Sequence, residues 1–302
     1  MTQPTPDRCR RPTTLCRSWL FVPGAEPDAH RAALDSGADA ILVEFEDFTP
    51  PEKRDEARSL VADVFAAAKA RNIVIGARIN PLETGDGPRD LAAVMAAGPD
   101  IVAMPKVVIG AQVAALGQAV SALGGKNVEL LPNVESARGL LNTSEIIEAD
   151  NRVTACLVAS EDMATDLGAE RGRDGLELQY IRQSFLVHCV AANVLAIDCP
   201  YTWSDVAGVA RETAYARRLG YRAKSAVSPD HIAAVNDGLT PGAEAIAQAR
   251  ELVNAYEDAR KAGKAGAYLS GILVEMPIYM NAKRLIERAE VLKMVDVAGE
   301  KP

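Results

Sequence analysis

The residues best placed to do chemistry are two acids. Glu135, in LLPNVESARGL, and Asp162, in LVASEDMATDLGA, each follow an apolar run of the kind that forms a buried strand. They stand about one strand-helix-strand unit apart, which takes roughly 30 residues, and neighbouring parallel strands lie about 4.8 Å apart. The spacing therefore brings both carboxylates to the C-terminal ends of consecutive strands, where they can grip one hard divalent cation. A negative charge that develops on a substrate oxygen is what such a cation stabilises.

Other candidates follow the same geometry. In ILVEFEDF the strand period of two puts Leu42, Glu44 and Glu46 on one face and Ile41, Val43 and Phe45 on the other, with Asp47 finishing the strand. Three carboxylates at one strand end repel one another and raise at least one pKa, unless a cation sits among them; read instead as a solvated loop, the segment would be neutralised by Lys53 and Arg54. ARIN sets Arg78 and Asn80 on one face, and the Arg78 guanidinium offers a two-pronged grip on a carboxylate or a developing enolate, or a partner for Glu46. Lys106, in MPKV, could serve as a Schiff-base amine, a route that the acidic pair makes unnecessary. Lys224 opens the AKSAV strand and reads as structural. Of the three histidines only His231 falls near the expected mouth, and an isolated histidine is by default a packing or surface residue.

These groups need a scaffold that carries strand ends to one rim. Short β-branched runs recur at 19–22, 40–46, 73–80, 101–104, 129–134, 154–159, 194–198 and 223–227, with Ala/Leu/Glu/Arg segments of helical periodicity between them, such as ARSLVADVFAAAKA and VARETAYARRLG. Strict alternation implies parallel pairing through right-handed crossovers. An open doubly wound sheet would alternate in the same way. Eight strands, polar residues at nearly every C-terminal strand end and the lack of a Gly-rich dinucleotide fingerprint favour a closed (β/α)8 TIM barrel with a C-terminal helical extension. The expected division is a flexible N-terminal arm over 1–16, the barrel over 17–238, and an extension over 239–302 that packs on the barrel or on a neighbouring subunit. In that extension a helix is expected with Thr240 as cap, Pro241 in its first turn and Gly263 past its end, then a short apolar segment and a final helix over 278–292.

At 302 residues the chain suits one barrel, which needs about 250, plus this addition. The composition, 48% hydrophobic and 25% charged, allows a large buried core. A net charge of -8 and the absence of any Lys/Arg run argue against nucleic-acid and membrane-surface partners, so an anionic substrate must be met by a local cluster. Five cysteines without a CxxC pair, three of them (Cys156, Cys189, Cys199) in or beside apolar stretches, point to a reduced, cytoplasmic protein. The N-terminal stretch lacks the apolar core of a secretory signal, and no run reaches the roughly 18 apolar residues of a membrane helix.

The ordered string RSWLFVPG, DAILVEFEDFTPPEKRDEAR, ARIN, MPKV, LLPNVESARGL, SEDMATDLGAERG and AIDCPYTWSD resembles the citrate lyase β-subunit-like branch of the HpcH/HpaI aldolase family, which includes malyl-CoA and citramalyl-CoA lyases. The likeness runs over about 17–292. It implies a Mg2+-dependent (possible also with Mn2+) carbon-carbon lyase with a homotrimeric or homohexameric assembly. Glu135 and Asp162 match the family's metal ligands, Arg78 its substrate-binding arginine, and Glu46 and Asp47 the acidic pair of the second strand. A C-terminal acid that the acyl-CoA enzymes supply from a neighbouring subunit corresponds to Glu275, in SGILVEMP. The implied substrate is a malyl-CoA- or citramalyl-CoA-like hydroxyacyl thioester; the alternatives are CoA-independent aldol chemistry on a small 2-oxo acid such as pyruvate, glyoxylate or oxaloacetate, and a non-catalytic or partner-dependent subunit of a citrate lyase-like complex. The chain departs from the family in having Glu44 for an aspartate, bulky Phe48 for a small residue, and a 223–229 run without its usual histidine.

Overall fold

The computed structural model describes residues 11–299, which form two compact units, one running through Leu239 and the other from Thr240 onward. The first is a closed barrel of eight strands: β1 (Ser18–Pro23), β2 (Ala40–Glu44), β3 (Val74–Arg78), β4 (Ile101–Met104), β5 (Glu129–Val134), β6 (Ala155–Val158), β7 (Leu195–Asp198) and β8 (Ala223–Ala226). Each strand pairs in parallel with the next, and β8 closes on β1 through Trp19 opposite Ser225. Alternation then sorts the side chains. Trp19, Leu42, Ile101, Leu131 and Leu157 fill the interior, while Leu20, Ile41, Val43, Val102 and Val134 face outward beneath the helices. Because both faces of a strand are covered, the strands read as nearly continuous apolar runs. The helices supply the cover through one stripe each: on Arg54–Ala70, Ala57, Val61, Val64, Phe65 and Ala68 are buried at the spacing one helical face requires.

Three expectations change in detail. β2 stops at Glu44 rather than at Asp47 because the Glu44 carboxylate accepts the N–H groups of Glu46 at 2.7 Å and Phe48 at 2.6 Å, which bends the chain out of the sheet. β3 likewise ends at Arg78, since the Asn80 amide donates to the Phe45 carbonyl at 2.8 Å and to Asp90 at 2.7 Å. The stretch up to residue 16, expected as a loose arm, is packed where it is described: Thr13–Leu15 form a 3-10 turn, Thr13 donates to Glu129 at 2.7 Å, and Cys16 is wholly buried. Residues 1–10 lie outside the described part.

Between the barrel and its outer helices lies a buried ion cluster. Asp198, at the end of β7, accepts two 2.8 Å bonds from Arg182, on the helix Gln179–Ala191, and one of 2.7 Å from Lys224 of β8. Arg182 also reaches Glu212, on the helix Val206–Leu219, at 2.7 Å. Lys224 thus has the structural role expected of it. Burial by itself would push the Asp198 carboxyl up, but Lys224 and Arg182 outweigh it and hold it below the usual range.

The second unit comprises a helix (Ala243–Lys261), an antiparallel hairpin (Ala267–Leu269 with Ile272–Val274) and a long helix (Met276–Gly299). The expected cap at Thr240 gives way to Gly242, whose extended backbone starts the helix. Positive φ at Ser270 (50°) and Gly271 (81°) makes the two-residue turn that the hairpin's twist requires, a feature not read from the sequence. Tyr256 stacks on Tyr279 at 4.6 Å, joining the two helices of the unit. No helix among the described residues is long and apolar enough to cross a membrane.

Replacing Asp198 by Asn should leave two buried cations facing a neutral amide and cost about 3–5 kcal/mol at neutral pH. A depressed acid stabilises the fold above its unfolded pKa, about 3.9, and loses that contribution as pH falls through the lower folded value. The gap between wild type and Asp198→Asn in urea titrations should therefore hold from pH 8 to 5 and close in strong acid.

Candidate active site

The site grows from the C-terminal ends of β2, β3, β5 and β6. Arg78, at the end of β3, points inward and is almost wholly buried. Its Nε donates to Glu44 at 2.9 Å, while Nη2 lies 3.4 Å from Glu46 and Nη1 3.5 Å from Glu135. The rings of Phe21 and Phe48 lie 5.4 and 5.7 Å from its guanidinium. Burial would lower its pKa; Glu44, Glu135 and Glu46 reverse the effect and raise it, so the cation is permanent.

Glu135 follows β5 and is 2% exposed. Besides the long contact to Arg78 it accepts the main-chain N–H of Lys106 at 3.2 Å. Burial dominates its titration; with Asp162 and Glu46 adding repulsion, and Arg78 and Lys106 only partly opposing, its pKa is pushed up to about 7. Asp162 sits in the first turn of the helix Glu161–Leu167, directly after β6, and lines a cavity of about 340 Å³ with Asp47, Phe48, Arg78, Thr202 and Ser225. The remaining walls combine Ser160 and Glu161 with the apolar Phe21, Leu157, Ala159, Pro200 and Val227.

Glu46 and Asp47 occupy the turn after β2. Lys106 bonds to Glu46 through its ammonium group and lies 3.4 Å from Asp47. Burial raises the Glu46 carboxyl even though Arg78 and Lys106 pull it down. The crowding read from ILVEFEDF therefore exists, and two cations relieve it only in part. Lys106 itself is held protonated, its pKa raised by Glu46 and Asp47 against the opposing effect of burial, which does not suit a Schiff-base amine.

The barrel thus brings together Glu46, Asp47, Arg78, Glu135 and Asp162. Glu275 belongs to the C-terminal unit, exposed between the hairpin and the last helix. His231 is buried, 3.5 Å from the Ser204 carbonyl and beside the Tyr201 ring, a packing role. Glu44 is a participant whose role the sequence understated: its inward face was legible, its ties to Arg78 and to the turn were not.

The donor set suits a hard divalent ion. Glu135 and Asp162 are oxygen donors in mutual electrostatic reach, and Glu135 makes no protein contact shorter than 3.2 Å among those described. Among the described residues no group of three or more His, Cys, Asp or Glu side chains has the arrangement of a complete protein cage. Two carboxylates with the rest of the shell left to water and substrate is how Mg2+ is commonly held.

The model of the HpcH/HpaI aldolase/citrate lyase family matches residues 17–229. The chain is 31% identical over 292 residues to citrate lyase subunit beta of Leuconostoc mesenteroides, covering 94% of this chain and 97% of that one. It is 28% identical to an L-malyl-CoA/beta-methylmalyl-CoA lyase of Rhodobacter capsulatus, covering 94% and 97% respectively. Among solved structures, CitE from Mycobacterium tuberculosis in complex with magnesium, acetoacetate and coenzyme A superposes with a TM-score of 0.76 at 26% identity, over 91% of this chain and 98% of that one. The family match and these relatives place the chain in one class, the carbon-carbon lyases of the aldolase type. Within that class the chain belongs to the HpcH/HpaI aldolase/citrate lyase family.

A buried acid with a raised pKa favours folding while it is protonated; that contribution is complete below the unfolded value, about 4.3, and is lost as pH rises through about 7. In EDTA the stability of wild type relative to Glu135→Gln should therefore fall by roughly 3 kcal/mol between pH 5 and 8, as read from urea midpoints. A difference independent of pH would show that Glu135 is ionised throughout.

Proposed function

We propose that the protein is a Mg2+-dependent lyase of a malyl-CoA- or citramalyl-CoA-like hydroxyacyl thioester, working through an enolate. The observation that carries this reading is that Asp162 and the buried, permanently charged Arg78 line one cavity while Glu135 lies 3.5 Å from Arg78 and within electrostatic reach of Asp162. The acyl-CoA names among the relatives, and the magnesium and coenzyme A bound by the Mycobacterium tuberculosis neighbour, support it.

When bound between Glu135 and Asp162, Mg2+ supplies positive charge beside the oxygen that becomes negative. Arg78 grips the substrate carboxylate or enolate oxygen from the other side, held in place by Glu44 and the two phenyl rings. In the cleavage direction a carboxylate takes the proton of the hydroxyl group, the bond between the carbinol carbon and the carbon next to the thioester breaks, and its electron pair becomes the enolate. The same proton returned to that carbon completes the acyl product. Glu275, contributed by a neighbouring subunit of a homotrimer or homohexamer in the cytoplasm, or Glu46 with Asp47 beside it, is the proton carrier in this scheme. The apolar cavity wall shuts water away from the enolate.

The second reading, aldol chemistry on a free 2-oxo acid, draws support from the cavity's size. About 340 Å³ beside Phe48 accommodates a small acid, and the cavity lining adds no cation besides Arg78. With Mg2+ present, malyl-CoA or acetyl-CoA plus glyoxylate should raise the melting temperature more than pyruvate, glyoxylate or oxaloacetate alone; the reverse order would favour the free acid. Glu135→Ala should abolish metal-dependent turnover, and Arg78→Lys should lower kcat/KM by about 10²-fold or more. Full activity of Glu135→Ala in EDTA would rule out the mechanism.

A further inference from the structure

Lys106 has a backbone its residue type rarely adopts. Its φ is +55°, in the left-handed region where a Cβ crowds the following carbonyl. The other non-glycine residues with positive φ among those described have ordinary reasons: Asn72 and Asn193 close helix ends, and Ser270 makes the hairpin turn. Lys106 instead follows a barrel strand at the mouth of the site, where an observed outlier of this kind calls for a functional account.

The twist lets one residue face two ways. The Lys106 N–H donates to Glu135, behind β5, while the next N–H, of Val107, meets the Asn133 carbonyl at 3.1 Å. The side chain turns back across the rim to Glu46 and Asp47, after β2. Glycine could adopt this backbone without strain, but only a long cation completes the second contact. Charge shows what that contact accomplishes. Five carboxylates (Glu44, Glu46, Asp47, Glu135 and Asp162) are grouped around the two cations Arg78 and Lys106, while Glu161 on the cavity wall is paired with Arg171, and the close contact of Arg78 is spent on Glu44. Glu46 and Asp47, were they released, would be further hard-oxygen donors available to a divalent ion at Glu135 and Asp162.

We propose that Lys106 is a positioning residue that holds Glu46 and Asp47 off the cation site, so that Glu135 and Asp162 are its only carboxylate ligands and its other positions stay open to substrate. The inference rests on the Mg2+ site proposed above. It makes an unusual demand: removing the ammonium group should strengthen metal binding and weaken catalysis together, whereas a merely structural lysine would lose both.

The test measures Mg2+ binding by calorimetry and Mn2+ binding by EPR, with the metal alone, on the full chain, alongside kcat and KM. Lys106→Met and Lys106→Gln should each bind metal about ten-fold more tightly while kcat drops by about ten-fold or more. Lys106→Arg, which keeps the charge, should bring both back most of the way to wild type. Unchanged or weaker metal binding in the two uncharged variants, or an arginine variant no better than they are, overturns the proposal. A wild-type protein that binds neither metal overturns the reading of the site itself, and this inference with it.

Discussion

The constraint on which the barrel's rim depends is the burial of one guanidinium. Arg78 is 8% exposed and cannot shed its proton, so its charge must be met by fixed acids. Glu44 meets it most closely, at 2.9 Å, and is itself fully buried. The same carboxylate takes the N–H groups of Glu46 and Phe48. One side chain therefore neutralises the arginine, ends β2, and aims the turn that carries Glu46, Asp47 and Phe48. An aspartate at this position would be one methylene shorter. It could not span the same arginine and turn amides without moving the strand, so the length of Glu44 and the bulk of Phe48 belong to one local solution.

Acids outnumber cations at this rim, and folding has to tolerate the excess. The cost appears as the raised pKa values of Glu135 and Glu46, both of them driven first by burial. Such a site is less stable empty than loaded, which is the usual relation between function and stability at a preorganised centre. The barrel carries the cost because its stability comes from elsewhere: an interior of Trp19, Leu42, Ile101 and Leu131, and an outer shell pinned by the Asp198, Arg182 and Lys224 cluster.

Much of this arrangement was legible in the sequence, for definite reasons. Strands buried on both faces leave apolar runs whose limits agree with the observed strands to within a residue or two, and β4 and β5 coincide with them. The place of Arg78, Glu135 and Asp162 at the rim was legible because each ends or follows an apolar run that forms a barrel strand. What escaped were features set by side-chain contacts at a distance. The end of β2 depends on a carboxylate folding back on its own downstream amides. The left-handed backbone at Lys106 depends on Glu135, 29 residues away in sequence. Asp198 and Lys224 could be seen as charges in apolar strands, but Arg182, which joins them from an amphipathic helix, could not be told from a surface residue.

The cavity explains why the rim combines permanent charge with apolar walls. A charge acts most strongly beside apolar surface, and Phe21, Leu157, Pro200 and Val227 place such surface next to Arg78 and Asp162. The Phe21 and Phe48 rings near Arg78 limit its freedom without competing for its donors, which stay directed at oxygen. In the proposed reaction, an exposed arginine would have to be ordered each time substrate arrived. This one is ordered by the fold, so the entropy of fixing it is met during folding rather than at binding. The same logic covers Glu135, whose carboxylate is held by a main-chain N–H that comes from a strained residue instead of a mobile side chain. The rim is therefore fixed where its buried charges meet, and Lys106, whose side chain is 46% exposed, is its half-exposed cation.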